Sequence, residues 1–170
     1  MKSNEALKPM PEDKRRWGRA QGSRLVDPYK NPGKLRSNTV CPTCGAIYTG
    51  GKWQWGPRAA NADEVVCQAC HRSEDGVPAG VVTLHGSFVA PNRAALLAIV
   101  TEHEQGERRD RPSNRIINIE QGEDRMVVNT TDVQLPVRIG EAIRRSFQGA
   151  LERHFDEDSY LIRVDWHRDA

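Results

Sequence analysis

Four cysteines carry the clearest chemistry in this chain. Cys41 and Cys44 are followed, after 22 intervening residues, by Cys67 and Cys70, a C-x2-C-x22-C-x2-C arrangement. Within a C-x2-C pair a tight turn can point two thiolates at one ion about 2.3 Å away, and two such turns complete a tetrahedron. Gly45 follows the first pair directly, where a metal-binding knuckle commonly needs a residue free to take positive φ. Four thiolates close the shell and leave no position for an activated water, so the expected cofactor is one structural zinc ion. Zinc is preferred to iron from ligand type and spacing. His71 adjoins Cys70 and is expected beside the ligands rather than among them.

Other chemistry is hard to find. Gly50-Gly51-Lys52 lacks the spacing of a phosphate-binding G-x4-G-K-[ST] loop, and no G-x-S-x-G elbow occurs. Glu102, His103 and Glu104 are adjacent on a predicted helix, where neighbours face different directions. His85, His154 and His167 have no spacing that implies a shared site. The chain is therefore expected not to be an enzyme.

The elements around the cysteines read as three segments. Residues 39–78 predict a zinc ribbon, with strands at Ala46-Ile47-Tyr48 and Lys52-Trp53-Gln54-Trp55 joined by Gly50-Gly51. Residues 79–170 predict the folded body. Ala79 to Val89 reads as a strand, and Pro91 opens a helix with Leu96, Ile99, Val100 and His103 on one stripe, ending near Gln105-Gly106. Arg115 to Glu120 and Arg125 to Thr130 read as a hairpin turning over Gln121 to Asp124. Thr131 or Asp132 can cap a second helix, which Pro136 makes start near Leu135 and whose stripe is Ile139, Ile143, Phe147 and Ala150. Asp156-Glu157-Asp158 reads as a solvated turn before a last strand, Ser159 to Trp166. The fold class is thus α+β, with a ferredoxin-like β-α-β-β-α-β domain after the ribbon.

Residues 1–38 show no sustained periodicity and read as a basic flexible tail. They hold ten Lys or Arg against four Asp or Glu, whereas residues 39–170 hold 15 against 19, so the positive character sits at one end. Lys14, Arg15, Arg16, Trp17, Arg19 and Arg24 combine phosphate-neutralising charge with a ring, the composition of a nucleic-acid contact or of a solvated charged tail. In the ribbon, Trp53 and Trp55 share a strand face that either stacks on bases or packs the ribbon on the body. Lys52 and Arg58 belong to the same candidate surface, and the Arg138, Arg144 and Arg145 side of the second helix reads as a solvated face. The mean hydropathy of −0.70 and the lack of an ~18-residue apolar run argue against a membrane span. No apolar stretch like a secretory signal occurs near the start, so a cytoplasmic location with reduced thiols is expected.

The segments CPTCGAIYTGGKW, CQACHR, PAGVVTLHGSF, NRIINIE, NTTDVQLPVRIGEAIRRSFQGAL and VDWHR together resemble a family of small uncharacterised bacterial zinc-ribbon proteins, over nearly everything after residue 38. The chain is similar, more distantly, to the amino-terminal metal-binding region of the large-ribosomal-subunit nuclear export adaptor family. That resemblance implies zinc on Cys41, Cys44, Cys67 and Cys70, association with ribosomal RNA or the ribosome, and no catalytic residues. Pro136 departs from the bacterial pattern, which has alanine there. The expected function is a zinc-binding, non-catalytic, nucleic-acid or ribosome-associated protein. A protein-interaction module and a thiol/zinc redox sensor are the alternatives.

Overall fold

A computed structural model of the chain describes residues 27–170. Among the described residues, two sheets and three helices follow one another. The first sheet is small: β1 (Thr39–Val40), β2 (Ile47–Thr49) and β3 (Lys52–Gln54) pair antiparallel in that order. α1 (Gln68–Asp75) comes next. The body then runs β4 (Gly80–His85), α2 (Val89–Asp110), β5 (Ile116–Gln121), β6 (Arg125–Thr130), α3 (Leu135–Phe147), β7 (Ala150–Asp156) and β8 (Leu161–His167).

The body sheet has five strands in the order β5-β6-β4-β8-β7, with β4 and β8 parallel and the other neighbours antiparallel. Alternation sends one side of every strand to the helices. Val128, Val82 and Val164 form one row across three strands, and Met126, Leu84 and Trp166 the next. Leu96 and Val100 of α2 and Leu135, Ile139 and Ile143 of α3 close over them, all fully buried. Trp166 fills the largest share of this core, and its indole N–H donates to the Gln148 carbonyl at 2.6 Å.

Three sequence expectations need correction. First, β7 stands where the helix stripe was extended to Ala150, while Glu157 and Asp158 lie in the turn expected before the last strand. Gln148 takes φ 58°, which stops α3 at Phe147, and residues 150–156 then pair along their whole length with β8. The expected four-stranded unit therefore becomes a five-stranded mixed sheet. Secondly, α2 continues past Gly106 to Asp110. Glu107 holds the extra turn, accepting from Arg138 and from the Asn114 side-chain amide. Thirdly, residues 27–38 are not all loose: Asp27 and Tyr29 are buried against α1. The expected helix start at Leu135 agrees with the structure, and Asp132 accepts from the backbone N–H groups of Gln134 and Leu135 at 2.9 Å each. No helix among the described residues is long and apolar enough to cross a membrane.

Gly140 lets α3 lie close on the sheet, since a Cβ there would come 2.6 Å from Val164 Cγ1 and 3.0 Å from Leu151 Cδ1. Helix propensity favours alanine by about 1 kcal/mol, but overpacking costs about 1–3 kcal/mol. Gly140→Ala should therefore lower stability by about 1–2 kcal/mol in a denaturant melt, against the propensity order. Asp132 supplies a pH signature. Burial raises its carboxyl to about 6, against the pull of the N–H groups it accepts from. Folding thus favours the neutral acid. Its contribution to stability is complete below pH ~4 and is lost as pH rises through ~6. Asp132→Asn keeps the acceptor and should remove a stability decline on the order of 2–3 kcal/mol between pH 4 and 7, read from denaturant melts across that range.

Candidate metal centre

The two cysteine pairs reach the same point by different routes. β1 delivers Cys41 into a turn in which Gly45 N–H bonds to the Cys41 carbonyl at 2.9 Å, with Gly45 at φ 81° as its position requires. Cys44 sits within that turn. The second pair is not a second ribbon turn. Cys67 is the N-cap of α1 and Cys70 lies in its first turn, so the helix backbone sets their separation. The expected ribbon is thus a knuckle, a hairpin and a helix end.

The four sulfurs lie within 4.8 Å of one another. Cys41 Sγ to Cys70 Sγ is 3.8 Å and Cys44 Sγ to Cys67 Sγ is 3.9 Å. A tetrahedron of thiolates about 2.3 Å from a central ion has edges of about 3.8 Å. Those lengths fit a shared metal ion, and all four cysteines are free of disulfides. Backbone donors support the sulfurs: Cys67 N–H reaches Cys41 Sγ at 3.3 Å and Cys70 N–H reaches Cys67 Sγ at 3.4 Å.

Arg115, which the sequence reading did not single out, completes the centre. Its Nη2 lies 3.2 Å from Cys70 Sγ and 3.5 Å from Cys67 Sγ. Thr131 fixes its backbone, with Thr131 Oγ1 accepting from Arg115 N–H at 3.0 Å and Thr131 N–H donating to the Arg115 carbonyl at 2.8 Å. Burial works against the guanidinium, yet the Cys70 sulfur holds its pKa above the ordinary value. Among the sulfurs, the hydrogen bond from Cys67 lowers Cys44 to about 4 and raises Cys67 itself. Burial pushes Cys70 up, opposed by Arg115. Negative charge is therefore favoured on Cys44, the sulfur most open to solvent, over Cys67 and Cys70.

A second cation anchors the neighbouring segment. Arg72 is fully buried, donates to Asp27 Oδ1 at 2.6 Å and to the Val77 carbonyl at 3.1 Å, and stacks 4.3 Å from the centroid of the Tyr29 ring. Residues 27–29 are in this way clamped to the helix that carries Cys67 and Cys70.

The proposed contact surface is divided by the structure. Trp53 is half-buried against the cysteine cluster and meets Tyr48 edge-on at 5.4 Å. Trp55 lies beyond the end of β3, is 40% exposed, and donates its indole N–H to the Arg108 carbonyl at 2.7 Å. The two rings therefore do not form a single strand face. Arg58 pairs with Glu64 at 2.6 Å, while Lys52 is exposed at the hairpin tip. Lys14, Arg15, Arg16, Trp17, Arg19 and Arg24 lie outside the described residues. His71 supplies no ligand atom to the cluster. His85 and His167 do meet, as parallel cross-strand partners with ring centroids 4.8 Å apart, which local spacing cannot reveal. No protein-family model, curated protein or solved structure matches the chain.

Elemental analysis should find one metal equivalent per chain, and Cys67→Ser should reduce it below half. Arg115→Met should keep the stoichiometry but lose metal to a competing chelator with an affinity about 10- to 100-fold weaker, as removal of a supporting partner does. Equal affinity in that variant would show that the arginine does not support the ligands.

Proposed function

We propose that this chain is a zinc-binding, non-catalytic protein that associates with RNA on the ribosome. The observation that carries the zinc-binding, non-catalytic part is the closed four-sulfur cluster with a buried arginine laid against it, and the basic first segment is what supports the RNA part. Four thiolates leave no open position on zinc, so its task is to hold the module together and present the surrounding surface. That surface carries Lys52 at a hairpin tip, and the strongly basic first segment joins the chain beside α1. The reduced cysteines agree with action in the cytoplasm. In this reading the body, whose β4, β5 and β6 keep the split βαβ start of a ferredoxin-like unit and whose β7–β8 hairpin departs from it by placing β8 parallel to β4, serves as a rigid mount.

Sedimentation of the metal-loaded protein with ribosomes tests the reading. The protein should move with ribosomal particles at low salt and leave them as salt rises, because each neutralised phosphate releases counterions. A variant without residues 1–26, which spares the Asp27–Arg72 clamp, should need less salt to dissociate. Protein that stays at the top of the gradient at every salt concentration would overturn the ribosome reading and direct the search to a protein partner.

A further inference from the structure

A cavity of about 1090 Å³ opens between the metal module and the body. It lies slightly above the ~300–1,000 Å³ typical of ligand sites. One wall is the module, with Tyr48, Lys52 and Trp53 from the hairpin and His71 from α1. Asn114, Gln134 and Tyr160 belong to the opposite wall.

The two walls offer different chemistry. The arginines at and near the cleft are already committed: Arg111 to Gln134 Oε1 and Glu107, Arg72 to Asp27, Arg115 to the sulfurs. Lys52 and Lys30, which line the cleft, are not: neither side chain makes a hydrogen bond or ion pair among the described residues, and the His71 ring has no such partner either. Lys52 and the His71 ring belong to the module wall that carries the Tyr48–Trp53 ring pair. On the facing wall, Gln134 accepts from Arg111 through Oε1, which leaves its amide N–H groups to donate. Asp110 and Asp132 also line that side, where a phosphate would be repelled. An anion must therefore lie toward the module, and a planar group with hydrogen-bonding edges toward the amides.

We propose that this cleft seats one unpaired nucleotide of single-stranded RNA, with its base against Trp53 and Tyr48, its base edge toward Gln134 and its phosphate at Lys52. The inference rests on the RNA reading above and names the site for it. A base in a duplex is stacked and paired on both sides and cannot enter such a cleft, whereas an unstacked base can be read on its edge. Stacking on aromatic rings tolerates every base, so the preference is for single strands more than for sequence.

The test uses the full-length, metal-loaded chain with a short labelled single-stranded RNA, the corresponding duplex, and ultraviolet crosslinking read by mass spectrometry. The single strand should bind at least tenfold more tightly than the duplex, with crosslinks on Tyr48 or Trp53. Lys52→Glu should weaken binding about tenfold at unchanged metal content, and Gln134→Ala should weaken it a few-fold. If both variants bind like the parent chain, or the crosslinks all lie outside the cleft, the proposed seat is wrong, while salt-sensitive sedimentation with ribosomes would leave the broader reading standing. If neither the oligonucleotide nor the ribosome binds, both fail.

Discussion

The guanidinium of Arg115 against two of four clustered sulfurs is the interaction on which the arrangement of this molecule turns. Four thiolates around a dication keep a net charge of about −2, and burying uncompensated charge costs several kcal/mol. In a metal-loaded cluster Arg115, just before β5, would offset part of that charge, so compensation and the joining of module to body would be one event. The dependence is mutual. Arg115 is itself buried, and its Nε has no hydrogen-bond partner among the described residues, so the guanidinium depends on the Cys67 and Cys70 sulfurs for the contacts that burial removes.

The two halves of the chain differ in how much they need such help. The body has a core of interlocked large side chains, from Trp166 and Phe88 to Ile139 and Leu96. The module's core is Cys41, Ala46, Cys67, Ala69 and Cys70, with Trp53 and Val66 packed at its edge. So little apolar carbon cannot offset the entropy of ordering the loops between short strands, and metal-ligand bonds are the usual substitute in units this small. The Arg72–Asp27 clamp and the Trp55–Arg108 bond add contacts at two further places. Each lies at an end of the module, one against the incoming chain and one against the C-terminal end of α2.

What could be read from the sequence was what is local. Ligand spacing is local, because two thiolates three residues apart fit one turn or one helix end equally well. For the same reason the spacing could not tell a ribbon turn from the N-cap of α1. The hairpin at Gly50-Gly51, the β5–β6 hairpin and the Asp132 cap were visible through their turn chemistry. β7 was hidden because Leu151 and Phe155 are spaced to continue the stripe of α3, and only the Gln148 turn and the pairing with β8 decide otherwise. Arg115 was hidden because its sulfur partners are 45 and 48 residues away. The His85–His167 pair depends on parallel pairing of β4 with β8, a long-range choice that no short window contains.

Net charge would misplace the surface open to an anion. Residues 39–170 carry more acidic than basic side chains, yet the arginines near the module are largely spent inside the fold. Arg58 faces Glu64, Arg72 faces Asp27, Arg111 and Arg138 face Glu107, and Arg115 faces sulfur. A cation bound to an internal partner contributes little to an external contact, since the partner's field cancels it and breaking the pair costs energy. What remains for an approaching polyanion is the small set of uncommitted groups at the hairpin and along the cleft wall, set against an acidic body. That contrast gives an electrostatic approach a direction, toward the module and away from the acidic remainder of the chain. The same fold that holds the four sulfurs together therefore also decides which of the chain's positive charges are left to act outside it.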